Sequence, residues 1–282
     1  MPLISALKKQ TYTLRYFFHI GYKGSHYKGW QRHPYGINVQ QVLESALTRI
    51  LKTPVAIVGC GRTDAGVHAS QYFFHLDVAI PWTFDLVFRL NKVLPPDIAV
   101  FDIIPMDGLP HARFDATARS YDYFIHTSKN PFLSDASALY LFSHLHLDQM
   151  KAATALLPNY TDYRSFCITP AEHRSTICHI QSAQWFITSN GDRLRFQITA
   201  NRFLSRMIRI VVGKLLQVGT GTLSLAEFES YLATDNSPRQ LHPAHPQGLY
   251  LSKVTYPYLD LTPRSSFSPV SGQPSGTGWH EL

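Results

Sequence analysis

"GCGRTDAGVHASQ", residues 59–71, decides how this chain is read. A single acid, Asp64, stands between Gly61 and Gly66, two residues after Arg62. The segments on either side, "PVAIVGC" and "YFFHLDVAI", have the β-branched and aromatic content of strands. Glycines on both sides of the acid permit positive φ and a close approach of a ligand, so the loop can present Asp64 at the end of a sheet. An arginine two residues away offers the opposite charge that keeps a carboxylate ionised, and an ionised aspartate can act as nucleophile or base. The structural alternative is that Asp64 only fixes its own turn through an Asx hydrogen bond.

Better-known loops do not fit. Gly61 and Gly66 have the spacing of the front half of a P-loop, but Val67 and His68 stand where a Lys and a Ser or Thr would reach phosphate and magnesium. A dinucleotide fingerprint starting at Gly59 needs glycine at position 64 and a helix afterwards, and a strand follows instead. His68, His75 and Asp77 lack the pairing of a metal motif and read as structural. No G-x-S-x-G elbow supplies a serine nucleophile.

Working outward, "YTLRYFFHIG" from Tyr12 reads as a strand, and "NVQQVLESALTRIL" opens on a capping Asn38 and continues at helical spacing. After the two strands around the loop come a helix, "TFDLVFRLNKVL", and a strand, "DIAVFDIIP". The order β-α-β-β-α-β then restarts at Thr117 with "TARSYDYFIHT", "DQMKAATALL", "CHIQSAQWFIT", "RLRFQITA", "RFLSRMIRIVVGKLL", a short helix and "LYLSKVTY". Two ferredoxin-like β-α-β-β-α-β halves predict an α+β protein with a mainly antiparallel sheet. The seam falls at "PMDGLPHARF", giving halves at residues 1–108 and 109–261. The Ser-, Pro- and Gly-rich tail, residues 262–282, reads as disordered.

With 282 residues, 45% of them hydrophobic, the chain can build one large core or two ordinary ones. A net charge of +7 favours polyanionic partners, nucleic acid first among them. Cys60, Cys167 and Cys178 are an odd number at spacings that fit no zinc motif, so they read as reduced thiols. With neither a signal-like N-terminus nor an apolar run of membrane-spanning length, the expectation is a cytoplasmic protein.

Three further segments suit RNA. "YKGSHYKGWQRHPYG" interleaves Lys23, Lys28 and Arg32 with Tyr22, Tyr27, Trp30 and Tyr35, a mixture fitted to phosphates and base faces, or else a polar hairpin with surface aromatics. In "NRFLSRMIRIVVGKLL", Arg202, Arg206 and Arg209 fall on one helical stripe opposite Phe203, Met207, Ile210 and Val211. In "HARFDATARSYDYFI", strand alternation puts Arg119, Tyr121 and Tyr123 on one face, where a tyrosine can stack on a base or fill the core.

Together "GRTDAGVHASQ", "GWQR", "HARFDATARSYDY", "NRFLSRMIRIVVGKLLQVG" and "GLYLSKVTY" resemble the tRNA pseudouridine synthase A family, from about Tyr12 to Tyr256. The resemblance implies the pseudouridine synthase fold, a homodimer that clasps the tRNA anticodon stem-loop, and a reaction that needs no cofactor and no metal. It implies that Asp64 is the catalytic nucleophile, that Arg62 helps to flip the target nucleotide, that Tyr121 stacks on the target uracil and that Arg209 pairs with Asp64. Lys23, Lys28, Arg32, Arg202 and Arg206 are the cations expected to hold RNA. A rival reading is an RNA-binding protein without turnover, which has no need of a presented acid.

Overall fold

The computed structural model describes residues 13–262, 264 and 278–282; the first residue of the strand read from Tyr12 lies outside them. The first part of the chain runs β1 (Leu14–Tyr22), α1 (Val39–Leu51), β2 (Val58–Gly59), β3 (His68–Val78), α2 (Leu86–Val93) and β4 (Ile98–Met106). The second runs β5 (Ala118–His126), β6 (Ala138–Leu139), α3 (Leu147–Leu156), β7 (Ile180–Thr188), β8 (Arg193–Ala200), α4 (Met207–Gly219), α5 (Leu225–Leu232), β9 (Leu249–Thr255) and β10 (Trp279–Glu281).

Local chemistry sets several boundaries. Asn38 caps α1 by accepting a hydrogen bond from Gln41 N–H, and Asp85 caps α2 by accepting from Phe88 N–H, each satisfying a donor that the first helical turn leaves free. The strand expected over "PVAIVGC" shrinks to two residues. Gly59 passes so close to Tyr72 Oη and the Trp30 indole that only a residue without Cβ fits.

All the strands join one ten-stranded sheet in the order β10-β7-β8-β5-β9-β3-β1-β4, with β2 on β3 and β6 on β5. The sheet is mixed: its longer pairings are antiparallel, and two short ones are parallel. β3 and β9 run parallel through His68↔Tyr250 and Ala69↔Leu251, and β5 and β6 also pair in parallel. That short β3–β9 join stitches the two parts of the chain together.

Two large hydrophobic clusters and a small one, Phe124, Leu133 and Tyr250, lie along the sheet. Phe18, Phe74, Leu43, Leu47 and Leu90 bury α1 and α2 on the first, and Phe196, Ile198, Val211, Leu215 and Phe228 bury α4 and α5 on the second. Tyr121 on β5 packs against both, so it marks the seam between them.

The tail is ordered at its end, against expectation. Trp279, His280 and Glu281 pair with Thr188, Ile187 and Phe186 of β7, and Trp279 packs on Phe124. Burial of one indole on a sheet edge outweighs the local Ser, Pro and Gly composition there; residues 263 and 265–277 of the tail lie outside the described residues. Among the described residues no helix is long and apolar enough to cross a membrane.

Candidate active site

The loop between β2 and β3 is pinned through its backbone from several directions. Cys60 N–H donates to Phe73 O at 2.8 Å, Trp30 N–H to Thr63 O at 3.2 Å, and Gly66 N–H to Tyr27 O at 3.2 Å. The Tyr72 hydroxyl donates to Gly61 O at 2.6 Å, and Tyr22 Oη meets Thr63 Oγ1 at 2.9 Å. Tyr22, Tyr27 and Trp30, read from sequence as faces for bases, are therefore buried supports of this loop; of that group only Tyr35 stays exposed. Gly29, at φ 90°, lies so close to Thr63 O that no side chain could stand there.

The Asp64 side chain takes no part in this scaffolding. The turn closes by Val67 N–H donating to the Asp64 carbonyl at 3.2 Å. Its carboxylate Oδ2 instead accepts from Arg209 Nη1 at 3.3 Å, across 145 positions of sequence. The Asx-turn alternative is thus not the arrangement found.

Arg209 sits in the first turn of α4, and its Nε donates to Ala244 O at 2.7 Å while Ala244 N–H returns a bond to Arg209 O at 2.8 Å. The guanidinium is divided between a carbonyl and the acid, so it approaches Asp64 through one nitrogen and not as a two-pronged clamp. The side chains of Arg209 and Asp64 are 13% and 31% exposed, which leaves the acid reachable and its partner sheltered. Arg62, expected as the acid's neighbouring charge, is exposed and reaches Gln31 Oε1 with Nε at 3.3 Å.

Tyr121 lies half-buried at the same seam and meets Phe203 edge-on at 5.3 Å between ring centroids. Burial pushes its phenol above the ordinary tyrosine value; Arg119 works against that shift, while Cys60 and the charge of Asp64 add to it. Tyr121 therefore offers a neutral ring close to the acid. Cys60 is buried, and burial pushes its thiol up to about 11, so it is no nucleophile at neutral pH.

Arg119, two residues before Tyr121, was not singled out from sequence as a site residue, yet it bonds four carbonyls in three segments. Nη2 donates to Cys60 O and Arg113 O, both at 2.8 Å, and Nη1 to Ala116 O at 3.3 Å and Asn201 O at 3.2 Å. It thus ties the acid loop, the approach to β5 and the segment that leads to α4. An arginine within a strand, on the face of a candidate tyrosine, was the available signal.

The expected arginine stripe is absent. Arg206 is the N-cap residue of α4 with φ 57°, a left-handed backbone that ends helical geometry there, and Arg202 lies on the non-helical segment after β8, where its charge acts on Cys178. Only Arg209 of the three is helical. Lys23 pairs with Asp135 at 2.6 Å and Arg32 with Glu44 at 3.0 Å, leaving Lys28 exposed without an ion pair among the described residues.

The histidines are structural. His68 Nδ1 accepts from Gly24 N–H at 2.9 Å and Nε2 lies 3.1 Å from Gln247 O, while His75 Nδ1 accepts from Ala112 N–H at 3.1 Å. Burial lowers both to about 4.

Comparison with known proteins bears on this arrangement. A family model described as tRNA pseudouridine synthase matches residues 160–257. The tRNA pseudouridine synthase A of Parabacteroides distasonis is 42% identical over 246 residues, 86% of this chain and 96% of the relative. That of Porphyromonas gingivalis is 39% identical over 246 residues, 86% and 97% respectively. The chain belongs to the tRNA pseudouridine synthase A family. A more distant relative of the same name from Gloeobacter violaceus is 37% identical over 84% of this chain and 79% of its own length.

Proposed function

We propose that this chain isomerises uridine to pseudouridine in tRNA, with Asp64 acting at C1′ of the target nucleotide. The observation that supports this reading is the partly exposed Asp64 carboxylate held by Arg209 beside the neutral Tyr121 ring. In the reaction the N1–C1′ bond breaks, the uracil turns in place, C5 joins C1′, and the proton lost from C5 is balanced by one gained at N1. Nothing is oxidised or reduced, so neither cofactor nor metal is called for. Asp64 either attacks C1′ or removes a neighbouring proton to give a glycal; either route needs a positioned carboxylate.

A target base must leave its stack, at a cost of a few kcal/mol. Arg62, exposed at the rim, is assigned to fill or hold the vacated position, and the Tyr121 face to receive the uracil. Lys28, Arg202 and Arg206 are assigned to RNA phosphates, with Lys23 and Arg32 joining them by exchanging their carboxylate partners for phosphate. Residues 1–108 and 109–261 are assigned to two ferredoxin-like halves, the pseudouridine synthase layout, with the site between them. The anticodon stem-loop as target region, a homodimer as working unit and a cytoplasmic setting complete the proposal.

The test is incubation of purified protein with unmodified tRNA, followed by carbodiimide-stop sequencing. Conversion of specific uridines without added metal or nucleotide is expected. Binding of tRNA with no uridine converted would favour the RNA-binding protein without turnover.

A further inference from the structure

The cations that sequence reading assigned to RNA are partly engaged with carboxylates, but another group is not. Arg49, Lys52, Arg89 and Lys92 line an open cavity of about 280 Å³ between the C-terminal end of α1 and α2, together with Ile50, Phe88 and Val93. None of the four makes an ion pair among the described residues. Asp85, the acid nearest in sequence to the α2 cations, is occupied in capping α2.

Two features organise these charges. The Arg89 guanidinium carbon lies 3.9 Å from the Phe84 ring centroid, so this long side chain is already held against an aromatic surface. Lys52 ends α1 in the left-handed region at φ 59°, a position where glycine or asparagine is the unstrained choice and a lysine is retained instead. The negative ends of helix dipoles favour cations at α1's terminus, but each is worth only about half a charge, so four cations leave the cavity strongly positive.

Placement ties the cavity to the candidate site. The start of α1 is hydrogen-bonded to the acid loop's supports, Val39 N–H to Gly29 O and Gln40 N–H to Trp30 O, while Trp30 N–H donates to Thr63 O. Thirteen helical residues then carry the chain roughly 20 Å away, at about 1.5 Å per residue. One strand of a nucleic-acid duplex advances about 3.4 Å along the duplex axis per phosphate, so this distance, taken along that axis, spans about six nucleotides.

We infer that the α1–α2 cavity is an RNA phosphate-binding site, a clamp that holds the substrate stem about six nucleotides from the uridine presented to Asp64. The inference rests on the tRNA reading above. It makes α1 a ruler, with the reacting nucleotide at one end and backbone phosphates at the other.

The test is a double variant, Arg49→Gln with Lys52→Gly. The glycine removes a charge and relieves the left-handed backbone, so weakened binding cannot be attributed to a weakened fold. Binding of unmodified full-length tRNA is measured from about 50 to about 200 mM salt, with a hairpin of about three base pairs beyond the target as the short probe. The slope of log K against log salt should fall by about 1.8, since each lost phosphate contact contributes about 0.9, and tRNA affinity should drop on the order of tenfold. The short hairpin should bind both proteins alike, and kcat at saturating tRNA should be unchanged. An unaltered slope, or equal weakening of the short hairpin, overturns the inference. If the wild-type protein binds tRNA with this salt dependence but converts no uridine, the catalytic reading fails and the clamp stands.

Discussion

Replacing Arg209 by lysine keeps the positive charge but removes the shape that holds Asp64. At the observed 3.3 Å, the ion pair is worth about 1 kcal/mol at the dielectric constant of water and about 5 kcal/mol at an effective value near 20. With the arginine sheltered and the acid a third exposed, the Coulomb attraction lies between these bounds, before the cost of desolvating the pair is taken off. A charge-assisted hydrogen bond contributes about 1.5–3 kcal/mol, which falls within them. One ammonium cannot take over both the 2.7 Å bond to Ala244 O and the contact to Asp64, because the guanidinium makes them with two nitrogens in a fixed plane. Arg209→Lys should therefore lower kcat/KM roughly ten- to a hundredfold, read as pseudouridine formed per unit time on unmodified tRNA. tRNA binding, measured by filter retention, should change little. Arg206→Lys is the control, since Arg206 is exposed and outside the ion pair. Retention of kcat/KM within about twofold in Arg209→Lys, or equal losses at the two positions, would refute the reasoning.

Three other outcomes follow from the same geometry. His68 and His75, with folded values near 4 against about 6.5 unfolded, bind fewer protons folded than unfolded between those pH values, so stability falls as pH drops through that window, by on the order of 3 kcal/mol for each. Thermal melts should show this, with His75→Gln reducing the slope between pH 6.5 and 4; an unchanged slope would count against the assignment. Gly59→Ala should cost about 1–3 kcal/mol in denaturant unfolding, because a Cβ there meets the Trp30 and Tyr72 rings, which cannot move aside cheaply; a neutral effect would contradict the packing. Arg119→Met should leave four carbonyls in three segments without their donor, costing about 1–3 kcal/mol of stability and more in kcat than in tRNA affinity, and an unaffected kcat would mean that the acid loop is positioned without it.

What sequence could reveal followed the range of the forces involved. Asn38 was legible as a cap because capping is settled within three residues, whereas Asp85, placed by sequence inside the helix over "TFDLVFRLNKVL", in fact caps it; the strand over "RLRFQITA" coincides with β8 because its alternation is undisturbed. The start of α4 was misread because helical periodicity carries no information about the sign of φ at Arg206. Tyr22, Tyr27 and Trp30 were misread because interleaved lysines suggest a surface, whereas the hairpin folds its rings under the acid loop through long-range packing. Trp279 was the one large aromatic ring near the end of a tail whose composition otherwise argued for disorder. The pairing of Asp64 with Arg209 came from family resemblance, since no local pattern links positions 145 apart. The division of the Arg209 guanidinium between Asp64 and Ala244, and the reach of Arg119 into three segments, exist only once β5, α4 and the loop are assembled.

The most direct test of the central claim is pseudouridine formation by Asp64→Asn. The amide keeps the size and outline of the carboxylate and removes its charge, so the loop, pinned through its backbone, should remain folded and tRNA should still bind. Carbodiimide-stop sequencing of tRNA incubated with this variant should show no pseudouridine at sites that the unaltered protein converts. Conversion at the normal rate would contradict the assignment of Asp64 as the group that acts at C1′.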